Sequence, residues 1–120
     1  MQISKKRIDK QTQAQIKAML AQVIADIKDQ EKALIFLDDF LTQTESVALS
    51  KRIAIAFYLD KGMSYEQIKK ELKVSSATVA TVAEEIKKHP EGYQLALSYI
   101  KAEEFANKWS EKITGIFGKK

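Results

Sequence analysis

The chain has no cysteine, one proline, one histidine and four glycines among its 120 residues. Without a thiol there is no disulfide framework, no thiolate metal site and no cysteine nucleophile, and a reducing cytoplasm suits such a chain. So little glycine and proline leaves few places for turns, and no strand-like alternation bounded by turn signals occurs. The expected fold class is therefore all-α. Long apolar runs are missing too: residues 53–59 and 33–37 are the longest, far short of the roughly 20 that a membrane-spanning helix needs. The start is positively charged but has no apolar stretch behind it of the length a secretory signal requires. The expectation is a cytoplasmic chain with no membrane partner.

A lone histidine, no glycine-rich phosphate loop and no closely paired carboxylate motif leave no recognisable catalytic residue, metal site or cofactor cradle. No enzyme activity and no cofactor are expected. Asp38 and Asp39 are adjacent, so their side chains point about 100° apart on a helix and read as a solvated face. His89, directly before Pro90, reads as a cap or surface residue.

What is present is a hydrophobic content of 45%, 30% charged residues and a net charge of +4. That is enough apolar material for the core of one domain spanning residues 1–120, and the positive excess favours a polyanionic partner without requiring one. Residues 1–9 form a basic flexible arm, with Lys5, Lys6 and Arg7 continuing to Lys10. It serves either to follow a DNA backbone or as a solubilising tail. A first helix is expected over 10–29, with Ile16, Met19, Leu20, Val23, Ile24 and Ile27 as one stripe. A polar cluster at 28–32 separates it from a short helix over 33–41.

A threonine N-cap at Thr42 or Thr44 starts a third helix through Val47, Leu49, Ile53, Ala56, Phe57 and Leu59, and Lys61-Gly62 ends it. His89-Pro90 marks another boundary, because the residue before proline is pushed out of the α region. The last helix, over 91–117, carries Tyr93, Leu97, Ile100, Ala102, Phe105, Trp109, Ile113 and Phe117 and should end at Gly115 or Gly118. Two long apolar stripes are a lot for so short a chain to bury. Self-association and a monomeric bundle both remain open at this point.

Residues 62–89 carry the most direct functional signal. Gly62 can adopt the left-handed conformation that stops a helix, and Ser64 with Gln67 three residues on makes a capping box for the next one. Ile68 and Leu72 share a face. Ser75 supplies a second N-cap, and Val79, Val82, Ala83 and Ile86 recur at helical spacing. Two short helices joined by a tight capped turn form a helix-turn-helix, although capped helical corners also occur in proteins that never meet DNA. The outward face of the second helix carries Ser76, Ala77, Thr78, Ala80 and Thr81. Small side chains there let a backbone approach base edges, and threonine can both hydrogen-bond an edge and touch a thymine methyl.

Residues 40–55, which include Leu49-Ser50-Lys51-Arg52, followed by Gly62-Met63-Ser64-Tyr65-Glu66-Gln67-Ile68, Leu72-Lys73-Val74-Ser75 and Ala77-Thr78-Val79, resemble the Trp repressor superfamily. The resemblance covers residues 37–97. It implies a six-helix chain with a central helix-turn-helix, an intertwined homodimer joined through a C-terminal dimerisation helix at 90–118, and recognition helices that enter successive major grooves of double-stranded DNA. The implied function is a sequence-specific DNA-binding transcriptional regulator, a repressor. The DNA-binding set is Lys69 and Lys73 for the backbone, with Ser75, Ser76, Ala77, Thr78, Ala80 and Thr81 at the reading end.

In the ligand-responsive repressor of that family, tryptophan sits between the central helices and the reader. The resemblance places its threonine at Thr42 and one arginine at Arg52, which are the candidate effector-binding residues. A second arginine and the glycine after it correspond to Thr81 and Val82. Threonine cannot supply a flat cationic wall for an indole, and valine occupies space a ligand needs. Tryptophan is therefore not the expected effector, and another small molecule stays open. Glu84 and Glu85 would repel phosphates if aimed at the groove, with Lys87 and Lys88 in partial compensation. The alternative reading is a helical homodimeric interaction protein on the same scaffold that does not bind DNA.

Overall fold

The computed structural model describes residues 6–117, with side chains for residues 6–107. Lys5, Gly118 and the side chains of Trp109, Ile113 and Phe117 lie outside the described residues. Within them are six helices and no strand: α1 Lys10–Asp26, α2 Gln30–Phe40, α3 Gln43–Asp60, α4 Tyr65–Leu72, α5 Ser76–Lys88 and α6 Pro90–Phe117. The all-α reading is borne out.

Capping decides most boundaries. The Asp9 carboxylate accepts the Thr12 N–H at 2.7 Å and starts α1. Asp29 accepts the Lys32 N–H at 2.8 Å and starts α2. That second cap moves two expected boundaries, for α1 stops at Asp26 and α2 begins at Gln30, inside the stretch read as a polar spacer. An aspartate whose oxygen satisfies an orphan N–H competes with continued helix at that position. Thr42 starts α3: its hydroxyl accepts the Glu45 N–H at 3.1 Å while its own N–H donates to the Glu45 carboxylate at 2.9 Å. Pro90 opens α6 at the one helical position where its missing N–H costs nothing. Of the two expected stops, the helix passes Gly115, and its last residue is Phe117, as expected.

The chain divides into two units, with the boundary between Ser46 and Val47 in the first turn of α3. In the first unit, α1 and α2 bury none of their residues, and Ile16, Met19, Ile24, Leu34, Ile35 and Phe40 are each at least half exposed. The second unit holds the core. Ile55 and Ala56 from α3 meet Ile68 from α4 and Val79 and Val82 from α5, with Tyr58, Leu59, Met63, Leu72, Val74, Ile86 and Tyr93 packed around them. Ile55, Ile68 and Val79 are wholly buried, and each stabilises the unit by about 1.5–3 kcal/mol through apolar burial. Leu97 of α6 is buried too.

Ile55 was not in the stripe expected for α3. Its helix is apolar on nearly every side over 53–59, so periodicity there does not single out a face, and Val47 and Leu49 end up exposed. Two ion pairs tie the C-terminal end of α3 to α6: Lys61 to Glu104 and Asp60 to Lys101, both at 2.8 Å.

Candidate nucleic-acid interface

The helix-turn-helix lies entirely in the second unit. At the end of α3, Gly62 takes φ 82°. Its N–H donates to the Leu59 carbonyl at 3.0 Å and the Met63 N–H to the Tyr58 carbonyl at 3.1 Å. This pair of bonds is a Schellman stop, which a glycine in the left-handed region allows without strain. Ser64 and Gln67 then form the reciprocal capping box of α4.

The stop of α4 is different. Lys73 adopts φ 55° and ψ 53°, and it is the single non-glycine residue with positive φ among the described residues. The N–H groups of Lys73 and Val74 both reach the Lys69 carbonyl. A side chain in this conformation costs on the order of 1–2 kcal/mol that glycine would not. Ser75 follows as the N-cap of α5, with its hydroxyl accepting the Thr78 N–H at 3.1 Å and lying 3.0 Å from the Thr78 hydroxyl. Burial of Ile68 on α4 and of Val79 and Val82 on α5 then locks the two helices together and fixes which side of α5 faces outward.

A cavity of about 580 Å³ opens between α3 and the turn. Ile55 and Val82 contribute apolar wall, Ser75, Thr78 and Thr81 contribute hydroxyls, and Lys51, Arg52 and Lys73 contribute three cations; no carboxylate lines it. The Lys51 ammonium donates to the Lys73 carbonyl at 3.4 Å and so links α3 to the strained turn. Arg52 is exposed and forms no ion pair among the described residues. An excess of positive charge around a hydroxyl-rimmed hollow is suited to an anion.

The cavity brings together Arg52, Lys73, Ser75, Ala77, Thr78 and Thr81 of the residues read from the sequence. Ser76 and Ala80 are exposed on α5 outside it. Lys69 belongs to a separate hollow beside Glu66, Gln67 and Lys70, where its ammonium pairs with Glu66 at 3.5 Å. Thr42 is the N-cap of α3, with its N–H and its hydroxyl both bonded to Glu45. Lys51 was missed. Its signal was its place beside Arg52, one turn ahead of Ile55, so that burial of Ile55 aims it at the turn.

The two glutamates after the reading end behave differently. Glu85 is half-buried and lies 3.8 Å from His89 Nε2, whereas Glu84 is exposed and untied among the described residues. His89 itself caps α5, with its N–H donating to the Glu85 carbonyl at 2.8 Å. No helix of the described residues is long and apolar enough to cross a membrane.

Comparison with known proteins agrees with this geometry. The family described as Trp repressor protein matches residues 14–101. The chain is 32% identical over 81 residues to a Bacillus subtilis (strain 168) protein named "Uncharacterized protein YerC", covering 68% of this chain and 78% of that one. No solved structure matches. With a family match that spans α2 to α5 whole and so includes the capped helix-turn-helix, this chain belongs to the Trp repressor family, a regulatory family of helix-turn-helix DNA-binding proteins and not of enzymes.

Proposed function

We propose that the protein is a sequence-specific transcriptional repressor that binds double-stranded DNA as a cytoplasmic homodimer and needs no tryptophan. One observation carries the reading: α5 presents small, exposed residues outward, and the hollow beside its first turns holds three cations and no carboxylate. Phosphates would meet Lys51, Arg52 and Lys73 on that side and Lys69 across the turn, while Ser76, Ala77, Thr78, Ala80 and Thr81 face base edges. Dimerisation is supported by the apolar residues that α1 and α2 leave exposed, together with Leu95, Tyr99 and Phe105 on α6. A second copy would cover these and join both units into one DNA-binding domain.

Independence from tryptophan is supported by Val82, which is 5% exposed and belongs to the core that orients α5. A reader held by its own core needs no ligand to set it. Arg52 remains available to some other small anion.

The test is the salt dependence of binding to random duplex DNA, followed by selection of a preferred site. Affinity should fall steeply with salt as counterions are released. Lys69→Ala should weaken selected and random DNA alike and make the salt slope shallower by about one. A bulky residue at Thr78 or Thr81 should abolish preference for the selected site. Absence of binding at low salt would favour a dimeric interaction protein instead.

A further inference from the structure

Residues advance by about 100° along a helix, so Ala77, Ala80, Thr81 and Glu84 follow one another as a single stripe opposite Val79. All four are exposed, and Val79 is wholly buried. Only two of them carry polar side chains. The Thr81 hydroxyl donates its proton to the Ala77 carbonyl at 2.9 Å, which leaves lone pairs and no proton for an outside partner. The Glu84 carboxylate has no hydrogen bond or ion pair among the described residues, and an ionised carboxylate only accepts. The stripe thus offers methyl groups and acceptors but no donor.

In the major groove, the donors are the amino groups at N6 of adenine and N4 of cytosine, whereas guanine and thymine present acceptors at O6 and O4. An acceptor-only stripe meets the first pair with hydrogen bonds and the second with repulsion. We propose that Glu84 is a specificity-determining residue that accepts a hydrogen bond from an exocyclic amino group of cytosine or adenine, and that Thr81, three residues earlier, adds to the same preference. The inference rests on α5 being a groove-reading helix, as proposed above. Its charge also opposes phosphate, so Glu84 lowers affinity for every duplex while rejecting the wrong bases.

The experiment selects bound duplexes from a random pool with the full chain and its Glu84→Ala and Glu84→Gln variants, and measures binding of each to one random duplex in parallel. Wild-type sites should show one base pair per half-site whose preference depends on Glu84. Glu84→Ala should lose about fivefold to a hundredfold of that preference and bind the random duplex more tightly. Glu84→Gln, which gains a donor, should shift the position toward adenine, whose N6 and N7 an amide can bridge. A Glu84→Ala variant that selects the wild-type sequence with undiminished preference at every position would overturn the inference and leave the DNA reading standing. Failure of the wild-type chain to bind the random duplex at low salt would overturn both.

Discussion

Lys73 concentrates two opposed demands on one residue. The turn between α4 and α5 needs a left-handed residue, and glycine would fill it without strain, yet the side chain found there is one of the three cations around the cavity. Lys73→Gly should therefore stabilise the fold by about 1 kcal/mol and weaken DNA binding at the same time. Urea unfolding reads the first effect and the salt slope of random-duplex binding the second. A variant that is less stable would show that contacts of the lysine side chain outweigh its backbone strain. Much of this was legible beforehand, since Lys73 sits between a helix and an N-cap serine. Its positive φ was not, because lysine carries no propensity that announces it.

At the scale of the helix, the acidic caps make stability depend on pH. Asp9 lies below the usual aspartate value of 3.8, chiefly because the backbone N–H of Thr12 donates to it, with the Thr12 hydroxyl adding to the effect. Glu45 lies below 4.5 for the same kind of reason, the backbone N–H and then the hydroxyl of Thr42. Both carboxylates are depressed in the fold, so what they contribute to α1 and α3 is fully present above those ordinary values. It is lost as pH falls through the lowered ones. Helical content followed by circular dichroism should decline in acid below about pH 4, and the double variant Asp9→Asn, Glu45→Gln should flatten that decline. An unchanged acid limb would place the sensitivity in other carboxylates.

The same caps explain which helix boundaries could be read and which could not. Ser64, Ser75, Gly62 and Pro90 stand at ends that the sequence marks without ambiguity. Asp29 lay within a run of polar residues, where any of several could have capped, and only its bond to the Lys32 N–H distinguishes it.

For the whole molecule, the exposed apolar stripes of α1 and α2 are what the proposed dimer would cover. Sedimentation at micromolar concentration should give a dimer mass, and Ile24→Glu, on the exposed stripe of α1, should shift it toward monomer. A monomer mass for the unaltered chain would remove the dimer from the proposal. Titration of the protein with millimolar L-tryptophan should show neither heat of binding nor tighter DNA association. Loss of a desolvated cation over an indole costs on the order of 2 kcal/mol, about thirtyfold in affinity, before any clash with Val82. A one-per-chain isotherm would mean that Arg52 and the cavity beside it accept the ligand without a second arginine.

The sequence by itself determined the all-α class, the helix-turn-helix and its caps, and the family, because capping and local spacing act over three or four residues and leave their mark in the chain. Tertiary structure alone decided which side of α3 is buried, since an apolar run such as 53–59 has no preferred face until Ile68 and Val79 pack against Ile55. It also decided that Lys51 reaches the turn, 22 residues further along the chain. Contacts between residues far apart in the chain, and the orientation they impose on a helix, are set by packing, and no pattern within a single helix encodes them.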